Sequence, residues 1–296
     1  MTGPPQIFDR RLHRQRLARA MRAQSGADFL SLRVAEDLAE RLEAINRRFD
    51  LAVDLGARDG AFAAALGAGS AAEKIGLLIE APEARGRRPE GALIADAEQA
   101  PFAEGSLSLI VSRLALHWVN DLVGALIQVR RALRPDGLFL GALLGGATLT
   151  ELRQSLMAAE AELRGGAGPR VSPFLDLGDG AGLLQRAGFA LPVADTDTVR
   201  VLYDEPLRLL ADLRAMGETS ALLGRPAAPL TREILNRTFE IYRARHAAPD
   251  GRIVATFEIL TLTGWAPHPD QPKALRPGSA KASLAEALTP RSKPRS

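Results

Sequence analysis

Between Phe29 and Arg48 the apolar residues Leu32, Ala35, Leu38, Leu42 and Ile45 recur at spacings of three and four, which lays them along one face of a helix. The polar Asn46-Arg47-Arg48 closes that pattern, and the apolar run Phe49 to Leu55 reads as a short buried strand. After a glycine-bearing turn, Phe62, Ala65 and Leu66 return to helical spacing. The alternation then repeats. Strands are predicted at Ile75 to Glu80, Ala92 to Ala95, Ser108 to Ser112 and Leu138 to Leu144. A short helix or turn is predicted at Pro82 to Arg87, and a helix at Asp121 to Leu133, where Leu122, Leu126, Val129 and Leu133 are spaced four, three, four. Pro135-Asp136-Gly137 cannot continue that helix and makes the turn into the next strand. Strands and helices alternating at these lengths predict parallel pairing with helices on both faces, a doubly wound α/β core.

Past Gly145 the texture changes. Helices are predicted at Thr148 to Leu163, Gly182 to Ala187, Pro206 to Met216 and Thr231 to Arg245, and strands at Val193 to Tyr203 and Arg252 to Trp265. The turn signal Asp250-Gly251 precedes the last strand. The chain thus divides into an N-terminal helical segment (1–48), a sheet domain (49–265) with a helical insertion at about 204–248, and a proline-rich arm (266–296).

Of the 296 residues, 46% are hydrophobic and 25% charged, the balance of a globular protein with a sizeable core. Lysine and arginine number 38 against 35 acids, and the basic side is mostly arginine: the lysines are Lys74, Lys273, Lys281 and Lys293. The charge is spread rather than gathered into one stripe, which argues against a nucleic-acid partner. With no cysteine, thiolate nucleophiles, zinc-cysteine sites and disulfides are excluded. No apolar run reaches the length of a membrane span, so a cytoplasmic protein is expected. The arginine-rich segment Arg10 to Arg22 has something of a transit peptide, but Asp9 and the helical pattern through Leu17 and Met21 fit an N-terminal helix better.

The sharpest feature is Val53-Asp54-Leu55-Gly56-Ala57-Arg58-Asp59-Gly60: a strand end, a tight turn and a helix start. Glycine there lets the backbone approach a ligand, and the free N–H groups of the helix face whatever is bound. Glu80, twenty residues past Gly60, ends the next strand, where an acid can accept both hydroxyls of a ribose. Asp96 follows the third predicted strand and could accept an adenine amino proton. Ligands of open α/β sheets sit at the carboxyl ends of the strands, so these features converge on one crevice.

With His117-Trp118-Val119 and Leu133-Arg134-Pro135-Asp136-Gly137 following in order, the chain resembles the class I S-adenosylmethionine-dependent methyltransferases. The resemblance implies a Rossmann-like fold, a seven-stranded, mostly parallel sheet whose last strand is antiparallel, with N-terminal helices and a helical lid insertion. It implies S-adenosyl-L-methionine as cofactor, bound around Asp54, Gly56, Gly60 and Glu80, with adenine near Asp96 and Ala97. A narrower resemblance rests on Ile7-Phe8-Asp9-Arg10, Leu116 to Leu122, Gly145-Gly146, Ser172-Pro173-Phe174, Arg186-Ala187-Gly188-Phe189, Met216-Gly217-Glu218 and Gly264-Trp265. These are similar to the bacterial and mitochondrial complex I assembly-factor branch, and less so to the malonyl-carrier-protein methyltransferases of biotin synthesis. The branch implies modification of an arginine in an iron–sulfur subunit of respiratory complex I, and a mitochondrial matrix location if the source is eukaryotic. The alternatives are a non-catalytic assembly chaperone on this fold and a carrier-protein or small-molecule O-methyltransferase.

His117 follows the fourth strand and could act as a base or hydrogen-bond a substrate. Glu151, on a helix predicted to enter the cleft, and Glu218, in the insertion, suit a guanidinium substrate. Arg113 ends a strand at the crevice and is a candidate contact for the cofactor or an anionic group. The four histidines are scattered, and no metal site is expected. One departure from the family pattern stands out: Arg58 occupies a position usually held by glycine in the cofactor turn, which suits a bound cofactor if its side chain points to solvent.

Overall fold

The computed structural model describes residues 5–23, 26–58, 60–84 and 93–272. Two helices, α1 (Arg10–Ala23) and α2 (Phe29–Ala44), precede the sheet. There follow β1 (Phe49–Leu55), α3 (Ala61–Ala68), β2 (Ile75–Ala81), β3 (Leu107–Arg113), α4 (Leu122–Ala132) and β4 (Leu133–Leu144). The second half contributes α5 (Thr150–Arg164), α6 (Leu177–Arg186), β5 (Ala190–Tyr203), α7 (Pro206–Ala215), α8 (Arg232–His246) and β6 (Ile253–Trp265). The six strands form one sheet in the order β2-β1-β3-β4-β6-β5, parallel from β2 to β4, with β6 antiparallel to both of its neighbours.

All seven residues of β3 are buried, as a central strand covered on both faces requires. One face packs on α2 and α3 through Leu38, Leu42 and Phe62; the other packs on α4 and α6 through Leu126, Val129 and Leu184. Leu209 and Leu213 of α7 are buried in the core, whereas Leu207 is exposed.

Among the described residues the sheet has six strands rather than the expected seven. Leu93 to Ala95, the described part of the strand predicted at Ala92 to Ala95, join no ladder. Ala95 donates its N–H to the Pro82 carbonyl beyond the end of β2, but proline has no N–H to return. Leu93 and Ile94 are exposed, so burial does not enforce pairing. Half of the Pro82 to Arg87 prediction, and the arm from 273 onward, lie outside the described residues. At Pro135-Asp136-Gly137 the predicted turn is an irregularity within β4: Asp136 has φ 63, and the register with β3 shifts between Leu107 and Leu109. Helix α6 starts at Leu177, earlier than its apolar spacing alone marks. Among the described residues no helix is long and apolar enough to cross a membrane.

The register sets the site. Asp54 pairs with Glu80 on one side and Val111 on the other, and Leu55 with Ala81 and Ser112, so β1, β2 and β3 end at one level. The N-terminal segment closes over that edge. Phe8 bridges to Leu222 of the insertion, Asp9 donates its N–H to the Ala221 carbonyl, and Leu223 donates to that of Ile7.

Candidate active site

At the end of β1, Gly56 has φ +85, and a Cβ there would lie 2.4 Å from that of Ala115. Only glycine lets the turn pass so close to the segment leaving β3. Gly60, at φ +74, starts α3, and the carboxylate of Glu80 lies beside it, with Oε1 3.7 Å from where a Cβ would sit. The predicted turn and ribose acid therefore come together as one cradle. Asp54 and Arg113, both buried, face each other: Arg113 Nη2 donates to Asp54 Oδ2 at 2.9 Å, and its Nη1 donates to Ser31 of α2 at 2.9 Å. Arg113 is thus engaged in tying β3 to β1 and α2.

Asp96 is also engaged. Arg10 donates to its Oδ1 at 2.5 Å, Arg14 binds its Oδ2, and the N–H of Glu98 adds a third donor. Ala97 beside it is fully buried. Arg10 also meets the buried Glu83 at 3.1 Å and the Trp118 carbonyl at 3.1 Å. Asn120 accepts the N–H groups of Ile7 and Phe8 at 2.7 and 2.8 Å. Two sequence motifs more than a hundred residues apart are thus one contact.

A second cluster centres on Glu218. Trp118 Nε1 donates to Oε2 at 2.8 Å, His117 Nε2 lies 3.1 Å from the same oxygen, and Arg58 Nη2 lies 2.8 Å from Oε1. Arg58 points inward, contrary to the expectation of a solvent-facing side chain, and also donates to the carbonyls of Leu114 at 2.6 Å and Met216 at 3.1 Å. The physical reason is the insertion: Met216 and Glu218 bring two acceptors over the turn, and Leu114 at φ 47 turns its carbonyl to the same guanidinium. Burial opposes the charge of Glu218, but Arg58, then His117 and His13, hold its carboxyl well below the ordinary carboxylate range. Glu151 is not brought here. It accepts the N–H and hydroxyl of Thr256, clamping the start of α5 to β6.

Sequence reasoning missed His13. It is fully buried and stacked on Trp118, with ring centroids 4.4 Å apart. Burial pushes it down to about 3, with Arg58, His117 and Arg10 adding to the effect and Glu218 opposing it. The spacing of Arg10, His13, Arg14 and Leu17 on one helical face was the available signal. Because the folded pKa lies below the unfolded value of 6.5, the unfolded chain takes up the proton first. His13 thus leaves stability intact above about pH 6.5 and removes it as pH falls toward 3. Between pH 7 and 5 this amounts to about 2 kcal/mol. Thermal melts of the wild type and His13→Phe check it: the variant should show a flatter decline over that interval, and parallel curves would refute it.

Beside the Glu218 cluster a cavity of about 320 Å³ opens between α1, α2 and the insertion, walled by Leu17, Leu30, Phe174, Leu213 and Phe257. Arg58 and Glu218 are among its polar lining. Glu80 and Asp96 do not line it, so the cavity is separate from the turn formed by Gly60 and Glu80.

An α/β sheet with one reversed strand, a glycine turn at the end of β1 and an acid at the end of β2 define a methyltransferase fold. The methyltransferase domain family matches residues 53–141, and this match supports S-adenosylmethionine as cofactor. The solved YcgJ protein of Bacillus subtilis shares the fold at a TM-score of 0.51 and 15% identity, over 80% of this chain and 99% of that one. Along its length the chain is 39% identical over 290 residues to human arginine-hydroxylase NDUFAF5, mitochondrial, covering 95% of this chain and 83% of the human protein. The zebrafish (Danio rerio) protein of the same name is 37% identical over 287 residues, covering 95% and 89%. The chain belongs to this arginine-hydroxylase NDUFAF5 family. It is also 29% identical over 304 residues to a malonyl-[acyl-carrier protein] O-methyltransferase of Methylovorus sp., covering 98% and 96%.

Proposed function

We propose that this protein is an S-adenosylmethionine-binding enzyme that modifies an arginine side chain of a protein subunit during the assembly of respiratory complex I, by methylation or hydroxylation. The observation that carries the reading is the 37–39% identity to proteins named arginine-hydroxylases across 95% of the chain. Those relatives are named mitochondrial; the matrix is the corresponding compartment in a eukaryotic source and the cytoplasm in a bacterial one. An iron–sulfur subunit is the proposed partner.

Gly56, Gly60 and Glu80 fit the cofactor: the positive φ of both glycines leaves a cradle, and the Glu80 carboxylate lies beside it. They would hold the methionine and ribose, with Asp54 and Arg113 fixing the strand ends beneath. Bound S-adenosylmethionine supplies a methyl group already activated by its sulfonium charge. The chain's work is then to position the acceptor in line, hold it away from water and receive the proton it sheds. Glu218 orients the guanidinium, and His117, against Glu218, stands to take that proton. For hydroxylation, no metal-dependent step is assigned to named residues: among those described, no group of three or more His, Cys, Asp or Glu could hold a metal ion.

Asp96 and the Ala97 backbone are the proposed adenine contacts. Because Arg10 and Arg14 already occupy Asp96, adenine binding requires at least Arg14 to release it. Titration calorimetry should show S-adenosylmethionine binding, weakened at least about tenfold by Glu80→Ala, which removes a charge-assisted pair of hydrogen bonds. Equal affinity in the variant would mean that the ribose lies elsewhere.

Peptide mass spectrometry of complex I subunits from a deletion strain tests the reaction itself. The expected result is an arginine lighter by one methyl group or one oxygen atom than in the parent strain. Failed assembly with unchanged masses would instead favour a docking protein. The carrier-protein methyltransferase reading rests on the likeness to the Methylovorus enzyme and would show as methyl transfer to a malonyl thioester.

A further inference from the structure

We infer that Glu218 is the floor of a guanidinium-binding subsite that Arg58 fills from within the chain, and that the substrate's arginine enters by taking the place of Arg58. The inference rests on the proposed arginine specificity and deepens it: it names the subsite and the competitor.

Three features carry it. The first is shape. The cavity of about 320 Å³ lies at the low end of the ~300–1,000 Å³ range for small-ligand sites, which is room for a side chain and not for a folded element. Much of its wall is apolar, from Leu17, Leu30, Leu213 and Phe257, and its charged lining is Arg58 with the carboxylates of Glu218 and Asp28. An apolar passage reaching a carboxylate suits a methylene stem tipped with a cation. Phe174, 5.9 Å from the His117 ring, adds an aromatic surface of the kind a guanidinium packs against.

The second is electrostatic. Trp118 and His117 engage only Oε2 of Glu218, and the other oxygen faces Arg58. With Arg58 withdrawn, a buried carboxylate would keep neutral or partly charged partners and face an empty cavity, which is unfavourable unless another cation arrives. The carbonyls of Leu114 and Met216, at 2.6 and 3.1 Å from the Arg58 nitrogens, add two neutral acceptors that another guanidinium could use.

The third feature separates this from the opposite reading, in which Arg58 recruits an anion. Both terminal nitrogens of Arg58 already face Glu218 and the two carbonyls, and its Nε is buried. An entering carboxylate finds little left to bind. An entering guanidinium finds a complete site, provided Arg58 swings aside, and an arginine on a turn beside the cavity mouth has the length to do so.

The test uses the full-length protein and small probes, so it does not depend on whether a complex I subunit is modified. N-acetylarginine amide, N-acetylcitrulline amide and propionate are titrated into wild type, Arg58→Ala, Arg58→Lys and the double variant Arg58→Ala/Glu218→Gln. If the open state of Arg58 is a minor one, populated at 10% or below, removing the side chain raises apparent affinity at least about tenfold. The expected result is that the arginine probe binds Arg58→Ala at least about tenfold more tightly than wild type. The citrulline probe should bind neither, and the double variant should lose the gain. Arg58→Lys keeps a charge at the position and should stay near wild type, which controls for a folding defect in the alanine variant. Equal affinity of wild type and Arg58→Ala for the arginine probe, no binding by either, or binding of propionate that depends on Arg58 would each overturn the inference. Failure here with a modified subunit arginine would leave the proposed function standing, and success with an unmodified subunit would do the reverse.

Discussion

Asp54→Ala is expected to destabilise the protein by about 3–5 kcal/mol, the range for removing one partner of a buried ion pair. Asp54 is fully buried, and the side chain of Arg113 is 2% exposed. Removing the carboxylate takes the Asp54 countercharge from a guanidinium buried between two central parallel strands, where burial penalises a charge far more than a surface position does. The damage reaches the proposed site because Asp54 stands two residues before Gly56 and is in register with Glu80, so a shift at the end of β1 moves the turn and the Glu80 carboxylate together. In a chain of this size the loss appears as a fall in melting temperature on the order of 10 °C. Asp54→Asn keeps the volume and one acceptor and should retain part of the loss. A variant carrying Asp54→Leu with Arg113→Met removes both charges and should be more stable than Asp54→Ala. A melting temperature for Asp54→Ala within about 2 °C of wild type would show that the pair holds little of the fold together.

What the sequence disclosed and what it hid divide along one physical line. Wherever burial follows the local period, the pattern was enough. The apolar run of β1, the four-three-four spacing on α4 and the β-branched run before Trp265 each locate an element that the structure contains, and the reversed last strand follows the resemblance. The glycine turn and Glu80 were legible because strand-end residues of a parallel sheet are brought together by the ladder itself. The predicted strand after Pro82 marks where that logic stops: Leu93 and Ile94 look like strand residues, but in the described residues they remain exposed and join no ladder. The polar interior was not legible at all. Arg10 reaches Asp96 across 86 positions and Glu83 across 73, and Arg58 reaches the Met216 carbonyl across 158. No periodicity encodes such pairs. The arginine-rich segment reads only as an N-terminal helix, whereas Arg10 is drawn to Asp96 and Glu83 and Arg14 to Asp96. Glu151 failed in the opposite sense: a carboxylate early on a helix looked like a cleft residue, and the hydroxyl and N–H of Thr256 claim it.

Glu218→Ala is expected to have the largest combined effect, about 3–5 kcal/mol of stability together with loss of activity. The residue joins three parts of the molecule that lie far apart in sequence: the cofactor turn through Arg58, the segment after β3 through His117 and Trp118, and the insertion that carries Glu218 itself. Without the carboxylate, the Arg58 guanidinium keeps two carbonyls but loses its countercharge, and the Trp118 N–H loses its acceptor in a buried setting. Stability alone cannot separate a structural lock from a substrate-facing acid, but cofactor affinity and arginine modification in a folded variant can. If the pair acts as a unit, Arg58→Gln with Glu218→Gln should be less destabilised than the sum of the single variants, by about 1–3 kcal/mol. Glu218→Gln retains an acceptor for Trp118 and should fold well enough for its S-adenosylmethionine affinity to be measured. Near wild-type cofactor affinity with no modified arginine would assign Glu218 to the acceptor side of the cleft. A parallel loss of cofactor binding would instead mean that the Arg58 to Glu218 link holds the cofactor turn itself, and the cavity beside it would lose its claim to the substrate.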